Sequence, residues 1–135
     1  MAASLTRRYE HRKEIGVERD SLILYAKIEA LFFQVYPTFK SYPKSETHGL
    51  CRRIKDMFIS LLEAVGQAKE VASKRKLYLQ QAAGYIQNIV SMFRLSRHQR
   101  YISRGFFEQL DIKITEIKKI LVGFMRSVSR TRQTP

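Results

Sequence analysis

An all-α fold, an up-down-up-down four-helix bundle, is what this sequence predicts, and three observations carry it. Four long stretches repeat apolar side chains at three- and four-residue steps, the spacing that lines one face of an α-helix. No stretch alternates apolar and polar residues as an amphipathic strand would. The segments joining the four stretches are short and carry the Pro, Gly and Ser residues that punctuate helices, which sets consecutive helices antiparallel. At 135 residues, 44% hydrophobic and 27% charged, the chain has the composition of a single ordinary globular domain.

Residues 1–19 mix both signs of charge with little apolar content and form a charged arm, either frayed or a helical extension broken near Gly16. Asp20 is a candidate N-cap for the first helix of the bundle, residues 20–128. Its stripe is Leu22, Tyr25, Ile28, Phe32, Val35 and Phe39, and it ends near Lys40 because Pro43 disfavours helical geometry before it. Ser45 caps a second helix with a stripe of Leu50, Ile54, Met57, Phe58, Leu61 and Val65, ended by Gly66. A third helix spans about Val71–Arg97. Leu79, Ala82, Ala83, Ile86, Ile89, Val90 and Phe93 form its broad stripe, Tyr78, Tyr85 and Met92 a second line beside it, and Gln80, Gln81, Gly84, Gln87, Asn88 and Ser91 a neutral far side suited to another helix or subunit. After a linker at His98–Ile102, Ser103 caps a fourth helix with a face of Phe106, Leu110, Ile114, Ile117, Leu121, Phe124 and Val128. Residues 129–135 form a basic tail.

Charge is the unusual quantity. Twenty-five Lys and Arg face 12 acids, a net +13, and nucleic acid is the commonest partner of so basic a domain. From Val71 to Phe107 there is no Asp or Glu, yet Lys74, Arg75, Lys76, Arg94, Arg97, Arg100 and Arg104 all fall there. A merely solvated helix face interleaves acids at i and i+4. These cations, with Arg52, Arg53 and Lys55 on the second helix, are the candidate nucleic-acid or partner-binding residues, the arginines from Arg94 to Arg104 foremost. Tyr101, among arginines on a linker, is the candidate for stacking on a base, whereas Tyr78 and Tyr85 have the spacing that packing demands.

No catalytic constellation emerges, so the expectation is a protein that is not an enzyme, without cofactor or metal. His11, His48 and His98 each lack the Glu three positions earlier that di-iron bundles use, and the lone Cys51 can complete neither a zinc site nor an intrachain disulfide. Arg94 and His98 come nearest to the Arg-then-His pair of helical-bundle ribonucleases, with a gap of three residues where four to six is usual. No window has the run of apolar residues a membrane span needs, and none behind Arg7 and Arg8 has signal-peptide length, so a cytoplasmic location is expected.

KRKLYLQQAAGYIQNIVSMFRL and RYISRGFFEQLDIKITEIKKILVGFMRS, with weaker likeness in SLILYAKIEALFFQVYPTF and HGLCRRIKDMFISLLEAV, carry a resemblance over about Ser21–Ser127. The chain resembles the four-helix-bundle family that includes proteins encoded in ribosomal-RNA intervening sequences and, more closely, the accessory variability determinant (Avd) proteins of diversity-generating retroelements. The resemblance implies a homopentameric, barrel-like ring with a basic surface. It also implies binding to a reverse transcriptase and to template RNA or cDNA, in support of mutagenic reverse transcription. The alternative is a structural oligomer of the intervening-sequence kind, with no reverse-transcriptase partner. The charged arm lies outside the resemblance.

Overall fold

A computed structural model describes the backbone of residues 2–133 and the side chains of residues 6–130. Four α-helices, α1 (Ala2–Val35), α2 (Leu50–Glu70), α3 (Arg75–His98) and α4 (Arg104–Gln133), make up the fold, and no strand occurs among the described residues. α1 and α3 each pack against both α2 and α4, the square arrangement of an up-down-up-down bundle. The core is one cluster in which Phe58, Phe93, Phe124, Leu24, Ile28, Ile54, Leu79 and Leu110 are fully buried. The stripes expected on α2, α3 and α4 supply it, apart from the exposed Ala83 and the half-buried Met57 and Phe106.

α1 departs most from expectation. It is helical through Gly16 and Asp20, so Gly16 is not a break and Asp20 is not a cap. A glycine inside a helix costs only about 1 kcal/mol relative to alanine, and burial of Val17 on the bundle offsets that. Its core face is Val17, Ser21, Leu24, Ile28, Leu31 and Val35, which leaves Leu22 and Tyr25 of the expected stripe exposed. Two apolar series at helical spacing interleave on this helix, and only packing decides between them. Ser21 is tolerated in the core because its hydroxyl donates back to the Val17 carbonyl at 2.8 Å.

Three boundaries also move. α1 gives way to a 3₁₀ segment, Tyr36–Ser41, because Pro37 rather than Pro43 is the first proline to interrupt it. Ser45 lies in a 3₁₀ turn, and Gly49 is the N-cap of α2, where the Glu46 carboxylate accepts the Leu50 N–H at 3.5 Å in place of a capping hydroxyl. α2 runs past Gly66 to Glu70, where a side chain from α3 meets its terminal carbonyls. Ser103 does cap α4, its hydroxyl accepting the Phe106 N–H at 3.1 Å. α4 continues to Gln133, so residues 129–133 of the expected tail are helical; Met1, Thr134 and Pro135 lie outside the described residues.

Candidate nucleic-acid interface

Antiparallel packing of α2 on α3 sets the first turns of α2 beside the last turns of α3. Arg52, Arg53 and Lys55 therefore share one end of the bundle with Arg94, Arg97, Arg100 and Arg104, although some forty residues of sequence lie between the two groups. All of these except the half-buried Lys55 are exposed. Only Arg104 has an ion-pair partner among the described residues, Glu108 at 3.1 Å, and that exposed pair contributes little. The Arg97 guanidinium lies 5.4 Å from the centre of the Phe107 ring.

The α3–α4 linker fixes the middle of this surface. The Tyr101 N–H donates to the Ser96 carbonyl and the Arg100 N–H to the Arg97 carbonyl, both at 2.9 Å, the paired bonds of a Schellman helix end. Arg100 occupies the position at which such ends favour glycine, with φ at 62°. A left-handed conformation costs an L-residue roughly 1–2 kcal/mol, and here that strain holds an exposed arginine at the turn of the linker.

Tyr101 is not the free ring the sequence leads one to expect. It is half-buried, 5.2 Å from the Tyr42 ring, and its phenol is pushed above the usual range by desolvation first and the Glu46 carboxylate second. Tyr42 is buried and donates to Ser96 Oγ at 2.8 Å, while that hydroxyl donates to the Met92 carbonyl at 2.8 Å. The exposed aromatics at this end lie elsewhere. Tyr36 is 54% exposed and Phe33, one turn earlier on α1, is 65% exposed. The Lys55 ammonium sits 4.9 Å from the centre of the Tyr36 ring and 5.4 Å from that of Phe39. A tyrosine and a phenylalanine flanking Pro37 signalled aromatic content, but no sequence signal tied them to a lysine on another helix.

The second basic group is at the opposite end, since α3 rises roughly 27 Å between Lys76 and Arg94. Lys74 and Lys76 are exposed there, but Arg75 is 3% exposed and leaves the set of surface candidates. Its Nε donates to the Ala68 carbonyl at 2.6 Å and its Nη2 to the Lys69 carbonyl at 2.9 Å, which satisfies the last turn of α2. Its Nη1 reaches Glu14 Oε1 at 3.4 Å, a contact with the N-terminal half of α1.

His98 is exposed on the last turn of α3, and no group of three or more His, Cys, Asp or Glu among the described residues could hold a metal ion. No described helix is long and apolar enough to cross a membrane.

The architecture defines the class: a small, strongly basic, antiparallel four-helix-bundle protein with six of its fourteen arginines at the end where α2 starts and α3 ends. The sequence model of the bAvd-like family matches residues 22–128, well over half of the chain, and the protein belongs to that family. The match coincides within a residue at each end with the stretch that carries the resemblance to Avd proteins, and it points to an accessory-protein role of the Avd kind. No curated protein and no solved structure matched the chain.

Proposed function

We propose that this protein is a non-enzymatic accessory factor of a diversity-generating retroelement. It binds the reverse transcriptase and the template RNA or cDNA through the basic end of its bundle, and it supports mutagenic reverse transcription in the cytoplasm. The observation that carries this reading is the placement of Arg52, Arg53 and Lys55 at the same end of the bundle as Arg94, Arg97, Arg100 and Arg104, all but one without an acidic partner among the described residues. Their number and spread suit a phosphate backbone, which is read by charge rather than by base identity.

The working form is a homopentameric ring that repeats the basic end around its axis. Two surfaces suit a head-to-tail contact. The neutral face of α3, Gln80 to Ser91, is exposed, and Ile15, Leu22 and Tyr25 are exposed on α1 across the bundle from it.

Replacing Arg94, Arg97, Arg100 and Arg104 together by Glu is the test. The variant is expected to keep its helicity and oligomeric state and to lose binding to a labelled single-stranded RNA in fluorescence anisotropy. Wild-type binding is expected to fall by about 0.7 decades per decade of salt for each single-strand phosphate neutralised. Unchanged affinity of the variant at moderate salt overturns the reading.

A further inference from the structure

Tyr36 presents an uncommon arrangement for an exposed aromatic side chain. Its ring is held edge-on by Phe32, centroids 5.9 Å apart at 72°, and by Phe39, 6.0 Å apart at 68°. Phe32 in turn stacks at 4.9 Å on Phe58 of the core, so the ring's orientation is anchored to the bundle rather than to a loop. More than half of Tyr36 nonetheless stays open. The Lys55 ammonium over the Tyr36 and Phe39 rings has no carboxylate partner among the described residues, so its charge remains available beside an open aromatic surface. Exposed Arg52 lies one turn before Lys55 on α2, and Asp56 is the one acid between Leu50 and Leu62.

We infer that Tyr36 is a base-stacking platform: it takes an unpaired base of single-stranded nucleic acid while Lys55 and Arg52 meet the adjoining phosphates. An aromatic ring and a cation within 5 Å of each other match the two parts of a nucleotide, its π-face and its anion. A duplex cannot use the ring, because its bases are already stacked and paired. The platform stands at the same end of the bundle as the arginines. A row of ring contacts, Tyr36 to Phe39, Phe39 to Tyr42 and Tyr42 to Tyr101, runs from it to the linker that bears Arg100. The end of the bundle thus combines a charge surface that holds any strand with one site that selects for unpaired bases. This inference rests on the nucleic-acid reading of the basic end, and its test separates the two.

The test compares full-length wild type, Tyr36→Ala and Tyr36→Phe for binding to a labelled twelve-residue oligouridylate and to a twelve-base-pair RNA duplex. Tyr36→Ala is expected to weaken oligouridylate binding by about five- to 150-fold, with duplex affinity and oligomeric state unchanged. Tyr36→Phe restores the binding, since stacking needs the ring and not the hydroxyl. The chain has no tryptophan, so Tyr36→Trp gives a single reporter whose fluorescence oligouridylate quenches and the duplex does not. Unchanged oligouridylate affinity in Tyr36→Ala, together with no quenching of the tryptophan, overturns the inference while leaving the arginine surface intact. Equal loss for both probes, or a change of oligomeric state on sizing, also overturns it and assigns Tyr36 to a contact between copies of the chain. If wild type binds neither probe, it is the nucleic-acid reading itself that fails.

Discussion

The two junctions at either end of α3 look alike as sequence and differ as structure. Lys74-Arg75-Lys76 opens the helix and the series Arg94, Arg97, Arg100, Arg104 leaves it, both inside the acid-free stretch from Val71 to Phe107. At the first junction Arg75 is turned inward and engaged with the Ala68 and Lys69 carbonyls, whereas at the second Arg100 is turned outward and the backbone carries the strain. The difference teaches that a run of cations does not specify a surface. What decides is whether a nearby helix end offers carbonyls that need donors, because those accept from the guanidinium and hold it within the fold.

Substitutions at these junctions test the contrast. Arg75→Met is expected to have the largest effect on folding, a loss of about 3 kcal/mol in urea denaturation, because it leaves two helix-terminal carbonyls without donors. Under native conditions its affinity for RNA should stay within a factor of two of wild type; a tenfold fall would return Arg75 to the interface.

Tyr42 gives the next effect. Its phenol is raised above its ordinary value of 10.0, chiefly by burial, so the folded protein holds that proton more tightly than the unfolded chain does. The resulting stability is fully present below about pH 10 and is lost as pH rises through the folded-state value. Tyr42→Phe should lower stability at pH 7 by about 1 kcal/mol, since Ser96 Oγ loses its donor, and should flatten the decline above pH 10. Denaturation curves on both sides of pH 10 measure both changes, and an equally steep alkaline decline in the variant would assign it to other groups.

Arg100→Gly gives the smallest effect and the most pointed one. Relief of the left-handed strain, less the extra freedom glycine has when unfolded, should raise stability by roughly 0.5 kcal/mol. The salt slope of RNA binding should fall by about 0.7, the share of one phosphate contact on a single strand. Greater stability with an unchanged slope would make the left-handed arginine an accident of the turn.

Much of the fold was legible in the sequence. The three- and four-residue spacing located all four helices, the core stripes of α2 to α4 held apart from Ala83, Met57 and Phe106, and Ser103 was recognisable as a cap. On α1 Ile28 and Val35 of the expected stripe are buried, but its earlier turns were not legible, because Leu22 and Tyr25 match the helical period as well as Ser21 and Leu24 do, and only neighbouring helices choose between the series. Gly16 and Gly66 were misleading as stops, since a cost near 1 kcal/mol at a glycine is small beside burial of the turns around it. At the candidate site, charge located the cluster but not the company each residue keeps. Arg75 is met by carbonyls, which carry no sequence signature, and Tyr101 by Tyr42, a partner almost sixty residues away. The Tyr36 and Lys55 pair escaped for the same reason, being assembled from the 3₁₀ segment after α1 and from α2 only when they pack.

The relay from Tyr42 through Ser96 to the Met92 carbonyl has a consequence in entropy. Between α1 and α2 lie fourteen residues, Tyr36 to Gly49, with no α-helix of their own, and such a segment ordinarily keeps much of its conformational freedom until a ligand arrives. Here a buried tyrosine in the middle of the segment fastens it to α3, so the ordering is completed during folding. Free energy released by a strand settling on this end is then expressed as affinity instead of being consumed in arranging the surface that receives it.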